Sequence, residues 1–171
     1  MKSGNGQNPL QQTKLCLGYE KTGRDKTTPL YVVDASVAAK WVLSGEPFEK
    51  NALRIKDDYL SGIAQVCAPS FIVLEVANAL WKAIRLGRII EEEAHEALKT
   101  LDDLFITLHE LNWTEISQGL SIARKLDLTI YDASYLLLSD KLKAQIITAD
   151  DKLFEKAKKH FRVVHLKDYS G

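Results

Sequence analysis

The chain has 171 residues, 46% apolar and 27% charged, with no net charge. That is enough for one domain with a substantial core, and the neutral balance excludes a global field of the kind that marks a general nucleic-acid binder. The two cysteines, Cys16 and Cys67, have no motif spacing, so neither a zinc site nor a disulfide framework is supported. The most apolar stretch (66–81) is too short for a membrane span and is interrupted by Glu75 and Asn78. With no apolar leader-like segment at the polar N-terminus, the expected location is the cytoplasm.

Residues 1–29 are polar and lack apolar periodicity, and they read as a flexible N-terminal extension or a vector-derived remnant. Charge divides unevenly. Up to Leu30, Lys2, Lys14, Lys21, Arg24 and Lys26 oppose Glu20 and Asp25, a net +3, which leaves −3 for the remainder. Leu15-Cys16-Leu17 is the one apolar patch in this extension that could dock on something.

From residue 30 onward the pattern is that of a single domain, 30–171. Tyr-Val-Val-Asp (31–34) reads as a strand, followed by a short helix over 36–43 that Ser36 can cap, and a second helix over 46–61. A strand follows at 65–68. Pro69 suits a first helical turn, and that helix runs to Leu86 with Gly87 as its stop. Ala94, Leu98 and Leu101 recur at helical spacing over 91–104. Beyond them come a strand at 107–111, helices over 114–126 and 131–143, a strand at 145–148, a helix over 151–159 and a last strand at 163–165. This alternation predicts an α/β fold, helices on both faces of a central, mostly parallel sheet of about five strands. Ligands in such sheets bind outside the carboxyl ends of the strands.

Four acidic residues stand in apolar surroundings: Asp34 after Tyr-Val-Val, Glu75 within Phe-Ile-Val-Leu-Glu-Val-Ala, Asp132 within Thr-Ile-Tyr-Asp-Ala-Ser, and Asp150 after Ile-Ile-Thr-Ala. Carboxylates are rarely buried without a partner. A shared divalent cation would resolve the charge, and hard oxygen ligands suit Mg²⁺ or Mn²⁺ rather than Zn²⁺.

Each acid also has a plainer reading. Asp34 is a possible helix N-cap, unless Ser36 takes that role. Asp132 at the start of its helix is favoured by the dipole alone. Of Asp150 and Asp151 one must cap the next helix; Asp151 is given the cap and Asp150 the site, with the reverse left open. Glu75 resists a plain reading best. At 100° per residue it shares a narrow polar stripe with Asn78, Lys82 and Arg85 on a helix that otherwise reads as buried. On this reading Lys82 and Arg85, with Arg88 beyond, face substrate phosphates. The remaining acidic runs (57–58, 91–93, 102–103) read as solvated faces, and the four histidines show no ligand or triad spacing.

These motifs resemble those of the PIN-domain ribonucleases, and among them the VapC-type toxins of toxin–antitoxin pairs. Val-Val-Asp-Ala-Ser (32–36) matches the family's strand-ending aspartate. Pro69-Ser70 followed by Glu75-Val76-Ala77-Asn78-Ala79-Leu80 matches its helix-borne glutamate. Tyr131-Asp132-Ala133 followed by Tyr135-Leu136 matches its third acid. Ile147-Thr148-Ala149-Asp150 matches its closing acid, with Thr148 as the accompanying hydroxyl. The likeness covers 31–168. It implies a three-layer α/β/α domain, a Mg²⁺- or Mn²⁺-dependent endoribonuclease with Asp34, Glu75, Asp132 and Asp150 as catalytic metal ligands and Ser36 and Thr148 in support, frequent homodimerisation, and a small antitoxin protein that blocks the acidic pocket. The long N-terminal extension departs from the family pattern.

Trp41 is the best aromatic for stacking an RNA base, although a core role is the commoner fate of such a residue, and Trp81 and Trp113 read as core or interface. Two competing readings are a non-catalytic PIN-like module that binds RNA or a partner, and an aspartate-based phosphatase. The phosphatase pattern wants a second acid two residues after Asp34, where Ser36 stands.

Overall fold

The computed structural model describes residues 28–170. Nearly all of the predicted 1–29 extension, including Leu15-Cys16-Leu17, lies outside the described residues. Five strands form one sheet: β1 (Leu30–Val33), β2 (Gln65–Pro69), β3 (Thr107–His109), β4 (Gln145–Thr148) and β5 (Val163–His165). Their order is β3-β2-β1-β4-β5, and every pairing is parallel. Val32, Val33, Cys67, Ala68, Ile146 and Ile147 are all buried. That is the signature of strands covered on both faces, and it explains why they read as short apolar runs without alternation.

Seven helices are present among the described residues: α1 (Ala35–Ala38), α2 (Glu49–Leu60), α3 (Ile72–Arg85), α4 (Glu91–Asp102), α5 (Trp113–Leu126), α6 (Ile130–Leu142) and α7 (Asp151–Ala157). The chain belongs to the three-layer α/β/α class that the sequence predicts. The predicted helix over 36–43 is shorter: α1 passes into a 3-10 turn at Ala39–Trp41. Trp41 is buried there, with its Nε1 donating to the Ala52 carbonyl at 2.8 Å. An indole held in the core this way cannot stack a base, so the plainer reading of Trp41 is the correct one. α2 starts at Glu49 rather than 46, because Phe48 adopts a left-handed conformation (φ 61°) that ends helical geometry on its N-terminal side.

The topology places a site. From β1 the chain moves outward through β2 to β3, then crosses to the other side of β1 to lay down β4 and β5. Between β1 and β4 the order therefore reverses, and the crevice outside their carboxyl ends is where this architecture binds ligands. α6 precedes β4 and packs across β1, β2 and β4. Its last residue is close to the start of β4, so its first turn returns to the carboxyl edge.

Candidate active site

Asp34 directly follows β1, and Asp150 follows β4 by two residues. The two flank the switch point on neighbouring strands. Asp34 is almost wholly buried. Its Oδ1 accepts from Ser36 Oγ at 2.5 Å and from the Val37 amide at 3.1 Å, and its Oδ2 accepts from Thr148 Oγ1 at 2.5 Å. The hydroxyls are themselves anchored: the Ala149 amide donates to Ser36 Oγ at 2.9 Å, and the Asp150 amide to Thr148 Oγ1 at 2.9 Å. Burial pushes the Asp34 carboxyl up to about 6, against the opposing pull of the Ser36, Thr148 and Val37 donors, with a further upward push from the Asp150 charge.

Two assignments of caps are corrected here. Asp34, not Ser36, is the N-cap of α1. Its extended backbone (ψ 173°) continues β1 while its side chain turns back onto the Val37 amide. Ser36 is instead a donor to Asp34. Likewise Asp150, not Asp151, caps α7, its Oδ1 accepting from the Leu153 amide at 2.9 Å. Asp151 is exposed and points elsewhere, with Oδ1 3.2 Å from His165 Nε2 but out of line for a hydrogen bond. The cap uses Oδ1 alone, so it is compatible with a second task for Oδ2.

Glu75 sits in the first turn of α3 and Asp132 in the first turn of α6. Asp132 forms a capping box with Thr129: its Oδ2 accepts from the Thr129 amide at 3.2 Å and hydroxyl at 2.8 Å. Glu75 is half-buried, and its Oε2 accepts from Tyr135 Oη at 2.6 Å. Burial raises the Glu75 carboxyl above the ordinary range, the Tyr135 bond opposes this, and the Asp132 charge adds to it. Tyr135 is buried on α6, one turn after Asp132, and Phe71 packs edge-on against both Tyr131 and Tyr135 at 5.5 and 5.4 Å. The Tyr135 hydroxyl is pushed far up by burial first, then by Glu75 and Asp34, and the Ala35 amide also reaches it. Tyr135 thus holds Glu75 while lying within electrostatic reach of Asp34. Sequence patterning places Tyr135 among matching residues without assigning it this role.

Among the described residues no three His, Cys, Asp or Glu side chains close around one point. The acids stand as two mutually repelling pairs. Their carboxylates are nonetheless the hard-oxygen donors that suit a small divalent cation, and one of them, Asp34, is buried and hydroxyl-braced.

The helix that carries Glu75 is not buried on its other sides. Ile72, Val76, Leu80 and Ala83 form its core face, while Val73, Leu74 and Trp81 are exposed along α3 and Leu86 just beyond it. Glu75 therefore lies at the border of the core face rather than on a stripe through a buried helix. Lys82 and Arg85 are exposed farther along α3. Arg88 is engaged, pairing with Glu46 at 2.6 Å and donating to the Ser44 carbonyl, and is not free to hold a phosphate. Trp113 is 92% exposed, so it is no core residue.

A five-stranded parallel sheet flanked by helices, with Asp34 and Asp150 at its switch point, defines a three-layer α/β/α domain. The PIN domain family model matches residues 31–159, and the chain belongs to that family. It is 32% identical to Ribonuclease VapC3 of Pyrobaculum aerophilum over 126 residues, 73% of this chain and 92% of that one. Among solved structures it resembles PAE2754 of Pyrobaculum aerophilum (TM-score 0.61, 25% identity, 83% of this chain and 92% of that one). It also resembles Mycobacterium tuberculosis VapC20, described as a sarcin-ricin loop cleaving toxin (TM-score 0.59, 16% identity, 77% of this chain and 95% of that one). The last likeness speaks to the fold alone.

Proposed function

We propose that the protein is a divalent-metal-dependent endoribonuclease of the VapC type, the toxin of a toxin–antitoxin pair acting in the cytoplasm. The observation that carries this reading is the buried Asp34 carboxylate, braced by Ser36 and Thr148 at the β1–β4 switch point with the Asp150 charge beside it. Asp34 and Asp150 would hold the principal Mg²⁺ or Mn²⁺, with Asp132 ligating it directly or through water and Glu75 completing the set. When bound, such a cation supplies Lewis acidity and positive charge for the phosphoryl oxygens of a phosphodiester.

The chain's own groups then have separable tasks. Ser36 and Thr148 hold the Asp34 carboxylate in one orientation. Tyr135 holds Glu75 in place, and its hydrogen bond opposes the upward push of burial on that carboxyl. Lys82 and Arg85, exposed farther along α3 from Glu75, would meet flanking phosphates of the RNA. Tyr131, exposed and braced by Phe71 beside Asp132, is the aromatic that would stack an RNA base, a role closed to the buried Trp41. The exposed apolar residues of α3 support a protein partner there, either the antitoxin or the second copy of a homodimer. No helix among the described residues is long and apolar enough to cross a membrane.

A non-catalytic module would have no need of a hydroxyl-braced buried carboxylate, and in a phosphatase the place of the second acid is occupied by Ser36, which is committed to Asp34. The test is cleavage of single-stranded RNA with Mg²⁺, with Mn²⁺ and with chelator, for wild type and Asp34→Asn. Cleavage that needs the cation and is lost in the variant is expected. Cleavage in chelator, or an equally active variant, would overturn the reading, and turnover of a phosphomonoester instead would favour the phosphatase.

A further inference from the structure

The opposite end of β4 and β5 carries a second feature. There the C-termini of α6 and α7 converge, and a cleft of about 440 Å³ opens between residues 139–144 and 158–162. Lys143, Lys158, Lys159, His160 and Arg162 line it, against Asp140 as the only lining carboxylate. Cations are favoured at helix C-termini by the dipole, and that accounts for two of these. Lys143, in the left-handed C-cap position of α6, pairs with Asp140 at 3.1 Å. Lys158 pairs with Glu155 at 2.6 Å and covers the Phe154 ring. The other three lie beyond both helices. The side chains of Lys159, His160 and Arg162 are exposed and make no hydrogen bond or ion pair among the described residues.

The cleft is separate from the acids. Ala144 and Arg162 immediately precede β4 and β5, whereas Asp150 lies past the far end of β4. Four residues of strand separate the two ends by about 13 Å. An acidic pocket repels the backbone it must cut, so affinity for RNA has to come from cations elsewhere on the chain. Lys82 and Arg85 are two such cations. The concave set at 143–162 is larger, and Arg162 brings a planar fork that matches phosphate oxygens.

We propose that this cleft is an exosite for the phosphate backbone of the RNA substrate, joining Lys159 and Arg162 to the same strand that is cut at the acids. It rests on the ribonuclease reading above. The experiment uses the full chain carrying Asp34→Asn as a binding-competent background, with and without the Lys159→Ala/Arg162→Ala pair. Affinity for a single-stranded RNA of about twenty nucleotides is expected to fall about tenfold in the paired variant, with the salt slope reduced by about 1.4. With Asp34 intact, the same pair should leave cleavage of a dinucleotide unchanged, because its single phosphodiester cannot occupy both ends at once. Unchanged affinity and slope for the long RNA would overturn the exosite while leaving the ribonuclease reading intact. So would equal losses on long and short RNA. Inorganic phosphate serves as a third probe: if it perturbs the Arg162 side-chain resonance and the long RNA does not, the cleft is a small-anion site and the proposal falls. If the wild type neither binds nor cuts RNA, both readings fall together.

Discussion

Tyr135 Oη donates to Glu75 Oε2 at 2.6 Å, joining α6 to α3 across sixty residues of sequence. The same hydroxyl feels the Asp34 charge and is reached by the Ala35 amide. One buried phenol thus sets the position of Glu75 and senses the charge at the other pair. Replacing it with phenylalanine removes the one interaction that holds the Glu75 carboxyl down against burial and against Asp132. Tyr135→Phe is therefore expected to move the acid limb of the rate–pH profile to higher pH and to raise the cation concentration needed for half-maximal rate. The lost hydrogen bond should also cost about 1 kcal/mol of stability. Rate profiles and urea unfolding of the same preparations separate the two effects. A purely structural tyrosine would lower stability and leave the profile where it was.

The Asp34 carboxyl gives a pH-dependent stability with a definite sign. Burial, the largest cause, pushes its folded value up to about 6, well above the usual carboxylate range. Below about pH 4 it is protonated whether the chain is folded or not, and no penalty applies. As pH rises the unfolded chain ionises first, and above pH 6 the folded state carries the full penalty of a buried charge. The gap between the unfolded and folded values corresponds to about 3 kcal/mol lost between about pH 4 and 6. Asp34→Asn should abolish that loss. Unfolding free energies of wild type and variant are expected to diverge across this window, in metal-free buffer, with the variant the more stable at neutral pH and inactive. Parallel curves would refute the assignment.

Much of this arrangement is legible in the sequence, for identifiable reasons. β1 and β4 are buried on both faces, so Val32-Val33 and Ile146-Ile147 read as short apolar runs, and an acid just after each run falls at the carboxyl edge. What is not legible is any choice between neighbours. Asp34 and Ser36, or Asp150 and Asp151, are equally good caps on local chemistry. The choice is settled by contacts made across the fold, such as that of Thr148 on Asp34. The exposed side of α3 was hidden for a related reason. Val73, Leu74 and Trp81 are as apolar as Ile72, Val76 and Leu80, and only packing decides which set faces the core. The tie between Glu75 and Tyr135 needs tertiary proximity that no local pattern encodes.

A divalent cation that binds these acids must stabilise the folded chain, since the unfolded chain does not gather them. At about a hundred times its dissociation constant it should add about 2.7 kcal/mol. Thermal unfolding in Mg²⁺ or Mn²⁺ against chelator is expected to show a rise in Tm that grows with concentration and is much reduced in Asp34→Asn. The gain should also shrink as pH falls below 6, because protons then compete for the Asp34 carboxylate. A Tm insensitive to cation in the wild type would remove the metal from the proposal.

Asp150 and Asp151 can be told apart by the most conservative change available. Asn is as good an N-cap as Asp, so Asp150→Asn keeps the bond from the Leu153 amide and removes only the charge. Its stability should stay within about 0.5 kcal/mol of wild type, while cleavage falls by about a hundredfold or more for want of one carboxylate among the cation ligands. Asp150→Ala should lose the same activity and, in addition, about 1 kcal/mol of stability from the missing cap. Asp151 is mostly exposed and turned toward His165, so Asp151→Asn should cleave RNA within about twofold of wild type. Steady-state cleavage and urea unfolding on the three variants decide the matter. Full activity in Asp150→Asn with loss in Asp151→Asn would exchange the two residues and show that the α7 cap is only structural.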